Sequence, residues 1–364
     1  MKARIMLLLM TALFLLSCAA PATMPVRVND EAAKEEAKKQ RLIALQVWFE
    51  NYKRLADVSY TVLTGAVELC ENTTYSLGME ATTYYEFERD LQEAAFALFR
   101  VAGQVRVIHV TGGSPAEKAG LQVGDIILGI NNMTITTGEH AADIYNAALD
   151  VLAKVNAPVA LRILRQGGAR LTVFVNPEPA CNYKVYLLND IQANAFADGN
   201  NIVFTSGMLN FTKNDNELAL VVSHELAHNA MGHIDAKKIN YMLGSIFDMV
   251  SVASGINTGG TFGRLASRSY SQAFESEADY VGLYIMARSG LAIEDAPHFW
   301  RRMAALNPSS IENSHTSTHP STPHRFLVLE KTVREIQEKI SAGAALMPEL
   351  KSSVPDDSER MFTD

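Results

Sequence analysis

The pentapeptide His224-Glu225-Leu226-Ala227-His228 constrains this chain more than any other feature. It lies within the apolar run Leu218-Ala219-Leu220-Val221-Val222, which reads as a buried helix. Asn214, with Glu217 three residues on, marks the helix start as a capping pair. Histidines at i and i+4 share one helical face, so both imidazoles can reach a single cation. The glutamate after the first histidine is suited to take a proton from an attacking water. Five residues thus supply two ligands and a base for zinc-assisted hydrolysis. Two surface histidines on an ordinary helix would fit the spacing equally well. The surrounding hydrophobics speak against that, because imidazoles and a carboxylate buried without partners would be costly.

Catalytic zinc needs a third protein ligand and an open position. A histidine following as His-x-x-Gly-x-x-His is ruled out, since Met231 and Ile234 occupy the required positions and Gly232 and His233 are each displaced by one. A better source is Phe274-Glu275-Ser276-Glu277-Ala278-Asp279, which runs into the buried-helix pattern Tyr280–Met286. Glu275 and Asp279 share a face, so Glu275 could ligate while Asp279 orients a ligand histidine. Glu277 points elsewhere.

His-Glu-Leu-Ala-His followed by Glu-x-x-Ala-Asp resembles the membrane-associated zinc metallopeptidases that include HtpX, BepA and the CAAX-prenyl proteases. Two further segments resemble that family. Asn194-Ala195-Phe196-Ala197, with Gly199 and Ile202–Thr205, is similar to its strand beside the active site. His319-Pro320 followed by Arg325 is similar to its C-terminal segment. The resemblance implies one zinc per chain on His224, His228 and Glu275, with Glu225 as base. It also implies that the Ala195–Thr205 strand, with Asn194 to Ala197 as its contact residues, holds the substrate as an added strand, and that unfolded or misassembled envelope proteins are the substrates. Arg325 would stabilise the oxyanion. His319 would either cap the resting metal or stabilise the transition state.

Between Cys70 and Cys181 the pattern changes. Ser114–Leu121, Gly124-Asp125-Ile126-Ile127 and Ile130-Asn131 resemble a PDZ domain, and Leu77-Gly78-Met79 resembles its carboxylate-binding loop for C-terminal peptides. A strand at Val105–Val110, a helix at Glu139–Ala153 and a hairpin of Val159–Leu164 with Leu171–Val175 complete the module. The departure is the long stretch 80–104, which would form a lid or an extra helix near Arg89–Arg100.

The expected fold is α+β. A mainly helical zinc metallopeptidase domain of gluzincin type, with a small sheet, is interrupted by the PDZ domain, a partly open barrel with two helices. The expected limits are a signal peptide over 1–17, a linker over 18–29, and peptidase helices over 30–70. The PDZ domain follows over 71–180, then the peptidase over 181–345 and a disordered tail over 346–364. The Gly- and Thr-rich Ser254–Arg264 reads as a loop. Phe299-Trp300 reads as core. Only three cysteines occur. With Cys18 assigned to an anchor, Cys70 and Cys181 are free to pair in an oxidising compartment.

The N-terminus points to export. Lys2 and Arg4 precede the apolar Ile5–Leu16, and Leu15-Leu16-Ser17-Cys18 resembles a bacterial lipobox. Acylation of Cys18 would hold the chain in the periplasm on a membrane, with the outer membrane favoured because Ala19 follows the cysteine. The net charge of −8 comes with no basic cluster, which excludes nucleic acid as a partner. Polypeptide substrates and C-terminal peptides at the PDZ groove are the expected partners; the sequence does not specify the oligomeric state. The competing expectation is a non-catalytic PDZ-bearing chaperone or scaffold with a closed zinc site. Cys18→Ser is expected to remove acyl mass from the mature N-terminal peptide and to release the protein from the membrane fraction. Mass spectrometry of that peptide, with fractionation, checks this.

Overall fold

The computed structural model describes residues 26, 28–253, 261–306 and 323–349. The signal segment, Cys18, His319 and the chain beyond residue 349 lie outside them, as do 254–260 of the expected loop. Two compact units are distinguished, Met1–Arg41 and Leu42–Asp364. The described part of the first is the charged beginning of helix α1 (Asp30–Gly65), with Lys38–Glu35 and Lys39–Glu36 pairs along its exposed surface.

In the second unit a six-stranded antiparallel sheet is built from β2 (Met79–Thr82), β3 (Arg106–Val110), β4 (Ile126–Ile130), β5 (Met133–Thr134), β6 (Val159–Leu164) and β7 (Arg170–Val175). Their order is β2-β3-β4-β6-β7, with β5 against β4. Alternate residues of β6, Val159, Leu161 and Ile163, point into a core shared with Val107, Ile127, Ile130 and Tyr145. Helices α3 (Pro115–Lys118) and α4 (Ala141–Leu152) accompany the sheet, and Ser114 caps α3 by accepting from Glu117 N–H. The stretch 80–104 supplies β2, a 3₁₀ turn at Tyr84–Glu86 and a third helix, α2 (Gln92–Phe99). Ala94, Ala95 and Val101 pack on Leu45 of α1, and Phe99 meets Phe49 edge-on at 4.5 Å. The extra helix therefore leans on α1. No residue of 84–104 lines the groove of about 420 Å³ between β2 and α4, which is walled by Leu77, Gly78, Met79, Tyr145 and Leu149. β2 is an edge strand of this sheet.

Both ends of this module meet at a ribbon. β1 (Thr73–Ser76) pairs with β8 (Glu178–Cys181), setting Thr73 opposite Cys181, and Cys70 and Cys181 are joined by a disulfide. Tyr60 of α1 donates to Glu178, and Asp57 lies 2.6 Å from His109 Nε2 of β3.

The larger core joins Leu55, Val58 and Val62 of α1, and Ala66 just after it, to elements after residue 181. These are the small sheet β10-β11-β9, then α5 (Ser206–Phe211), α6 (Asp215–Ala230), α7 (His233–Ala253), α8 (Thr261–Arg288), α9 (Ala296–Ala304) and α10 (Pro323–Ser341). In the sheet, β9 (Lys184–Leu188) runs parallel to β11 (Asn201–Thr205), and β10 (Ala195–Ala197) runs antiparallel to it as an edge strand. Asn214 caps α6, its Oδ1 accepting from Glu217 N–H at 2.9 Å, and Leu218 to Asn229 are all buried. Thr261–Arg264, expected as loop, is the first turn of α8. The loop-forming composition ends at Gly260, and the apolar residues beyond it continue the helical pattern. The first residues of the expected tail are tied to the core. Leu346 packs against the core, and Arg288 and Lys339 bond the carbonyls of Leu346 and Met347.

Glu275, Asp279 and Gly282 recur at helical spacing along the face of α8 that meets α6. A Cβ at Gly282 would stand 3.2 Å from His224 N and 3.3 Å from its Cα. The missing side chain lets the two helices touch at the backbone of His224. Gly282→Ala is expected to force them apart and to lower stability by about 1–3 kcal/mol. Urea unfolding of the metal-free protein measures this.

Candidate metal centre

Three side chains from α6 and α8 converge. His224 Nε2 lies 3.2 Å from His228 Nε2. The Glu275 carboxylate straddles both, with Oε2 3.4 Å from His224 Nε2 and Oε1 3.3 Å from His228 Nε2. Four-coordinate metal arms of about 2.0–2.1 Å to nitrogen or oxygen give tetrahedral edges of about 3.3–3.4 Å. The spacing thus fits a cation at the centre, and the two-histidine, one-carboxylate set is that of hydrolytic metal sites. Charge agrees. Glu225, Glu275 and Asp279 are buried beside one guanidinium, Arg325, with Lys237 Nζ at the rim 3.9 Å from Glu275. Among the described residues a divalent cation would offset this negative excess.

The groups behind the cluster orient it. His224 Nδ1 lies 3.1 Å from Asp279 Oδ1, which leaves Nε2 turned to the centre. Arg325, at the start of α10, grips Asp279 with both arms, Nε to Oδ2 at 2.7 Å and a terminal nitrogen to Oδ1 at 2.8 Å. Its other terminal nitrogen faces Glu275 Oε2 at 3.7 Å. The guanidinium expected at the oxyanion is buried and holds Asp279 with two of its nitrogens. Trp300 is more than core. Its ring lies 4.9 Å from the His224 ring and 5.4 Å from the Arg325 guanidinium carbon.

His233 was missed by the sequence reading. Gly232, at φ 65°, ends α6 in the left-handed conformation and starts α7 at the next residue. This corner brings His233 back onto His228, Nδ1 to Nδ1 at 3.0 Å, and its Nε2 lies 3.1 Å from Glu277 Oε2. A histidine directly after a helix-terminating glycine was the available signal. Glu277 does turn away from the ligand cluster, but towards His233.

The β10–β11 hairpin is tied to α6 at its turn by Asn229, the residue after His228. Its Oδ1 accepts from Gly199 N–H at 2.8 Å and its Nδ2 donates to Asn201 O at 3.0 Å. Asn194 to Ala197 thus stand beside α6, with Ala195 buried and Phe196 exposed. Leu77, Gly78 and Met79 lie apart from the metal cluster, at the module's groove.

Residues 162–333 match peptidase family M48, and residues 106–151 match a PDZ domain. The M48 match begins inside β6, but pairing assigns β6 and β7 to the PDZ sheet. The metalloprotease YcaL of Escherichia coli is 29% identical over 177 residues, 46% of this chain and 65% of its own length. The beta-barrel assembly-enhancing protease of Yersinia pestis is 33% identical over 139 residues, 34% of this chain and 28% of its own. The mitochondrial metalloendopeptidase OMA1 of Schizosaccharomyces pombe is 30% identical over 166 residues, 43% of this chain and 48% of its own. The chain spans less than two thirds of each of these relatives. A metallopeptidase family implies a metal cofactor, which the donor set fits.

Burial opposes a charged His224, but the Asp279 and Glu275 carboxylates overcome it and raise its pKa to about 9. In the metal-free protein the ring therefore stays protonated through neutral pH. A metal at Nε2 must displace that proton. Metal affinity is expected to rise with pH up to about 9, and uptake at pH 7 to release about one proton. Titration calorimetry in buffers of different ionisation enthalpy counts the protons.

Proposed function

We propose that this protein is a zinc-dependent endopeptidase of the bacterial cell envelope that cleaves unfolded or misassembled polypeptides. The observation that carries the reading is the buried His224–His228–Glu275 cluster with Glu225 on the same helix. Zinc on those three residues would polarise the scissile carbonyl and make water acidic enough to attack at neutral pH. Glu225 accepts the proton of the attacking water at its carboxylate and returns it to the leaving amine. Asp279, gripped by Arg325, keeps His224 in the tautomer that presents Nε2. The free edge of β10 takes the substrate as an added strand, aligned beside α6 by the Asn229 contacts.

The groove between β2 and α4 accepts a C-terminal peptide, its carboxylate at the Leu77-Gly78-Met79 loop. An acyl group on Cys18 anchors the chain to the outer membrane. No described helix is long and apolar enough to cross a membrane. His319, outside the described residues, remains the candidate cap of the resting site.

Degradation of denatured casein by the wild type and Glu225→Gln, with zinc content measured on both, tests the reading. Glu225→Gln is expected to keep about one zinc per chain while losing about 100-fold or more in activity. Wild-type activity in Glu225→Gln would overturn it. A zinc-loaded wild type that suppresses casein aggregation without cleaving it would favour the chaperone instead.

A further inference from the structure

The outer nitrogen of the second histidine of the cluster, His228 Nδ1, stands 3.0 Å from an imidazole, that of His233. Asp279 serves His224 directly. We propose that His233 and Glu277 form a hydrogen-bonded relay that positions His228 for the metal. His233 is a positioning residue that does for one ligand what Asp279 does for the other. The inference rests on the metal-centre reading above and goes beyond it.

The hydrogen positions follow from valence. If His228 presents Nε2 to the centre, its single proton must sit on Nδ1. That N–H donates to His233 Nδ1, 3.0 Å away, so His233 must accept there and carry its own proton on Nε2. The second N–H then donates to Glu277 Oε2 at 3.1 Å. Each member has one compatible tautomer, and the chain ends on a group that only accepts. His233 is held rigidly for this task. It is 1% exposed, and its ring stacks on Phe274 with centroids 4.6 Å apart and planes 19° apart.

Helical geometry explains why a relay is needed. Glu275 and Asp279 share the α8 face turned to α6. Glu277 is about 200° round the helix from Glu275, at about 100° per residue, and cannot reach a ligand itself. An imidazole on the next helix spans the gap. α8 thereby serves both ligand histidines, His224 from Asp279 and His228 from Glu277 through His233. Half of the Glu277 side chain is exposed, so its contribution is orientation more than charge.

Zinc affinity, measured by chelator competition on the full-length protein, tests the relay alongside thermal unfolding of the metal-free form. His233→Phe keeps a ring on Phe274 and removes the acceptor. It is expected to weaken zinc binding by about 10–100-fold, the usual effect of losing a ligand's hydrogen-bond partner. Glu277→Leu, at a half-exposed position, is expected to weaken it by a smaller factor. Glu277→Gln, which still accepts from His233 Nε2–H, should restore most of that loss. In the His233→Phe background Glu277→Leu should change nothing further, because Glu277 acts through His233. Cobalt-substituted His233→Phe should also show an altered visible ligand-field spectrum, which a change of stability alone would not give.

Wild-type zinc affinity in both single variants overturns the relay and leaves the metal centre standing. So do losses that multiply in the double variant. A wild-type protein that binds no stoichiometric zinc overturns both readings.

Discussion

The contact between α6 and α8 at His224 and Gly282 is the constraint that the rest of the structure serves. Imidazoles on one helix meet carboxylates on the other, with exposures of 1% for each ligand histidine and 0% for Glu275. Groups this deeply buried are tolerable only if each is paired. Arg325 pairs Asp279, Asp279 pairs His224, and Glu277 reaches His228 by way of His233. α10 brings Arg325, α9 brings Trp300, and α1 fills the outer core with Leu55, Val58 and Val62. Elements distant in sequence are thus enlisted because a charged centre must be both dehydrated and satisfied.

The PDZ module is attached by the same economy of a few strong contacts. Its two connections run side by side as β1 and β8, closed by the Cys70–Cys181 disulfide. The Asp57–His109 and Tyr60–Glu178 contacts then fix it against α1. An insertion whose ends adjoin can enter a domain without separating the residues on either side, so α1 still packs with elements beyond residue 181. The edge strands β2 and β10 are places where an extended chain could add to a sheet, one in each region.

What was legible in the sequence was whatever depends on local spacing. The i and i+4 histidines, the apolar run around them and the Asn214 cap define α6 without reference to the rest of the chain. Glu275 and Asp279 could be paired with that helix because four residues place them on one face. The PDZ strands and hairpin showed through alternation and turn residues, within a few residues of the observed bounds. Less legible were groups whose partners come from elsewhere. His233 lies one position away from a familiar ligand spacing, and only the left-handed Gly232 folds it back onto His228. Trp300 and Arg325 carry no periodic signal of their roles.

The sequence by itself determined the candidate ligands His224, His228 and Glu275, the candidate base and the presence of two modules, because helical and strand periods translate spacing into shared faces and the motifs resemble known ones. Tertiary structure alone decided what stands behind the ligands. It assigned Arg325 to Asp279, linked Glu277 to His228 through His233, and leaned residues 84–104 on α1, away from the groove. The physical reason is that buried polar groups are satisfied by whichever partner packing brings within hydrogen-bond distance, and packing joins residues that no local period relates.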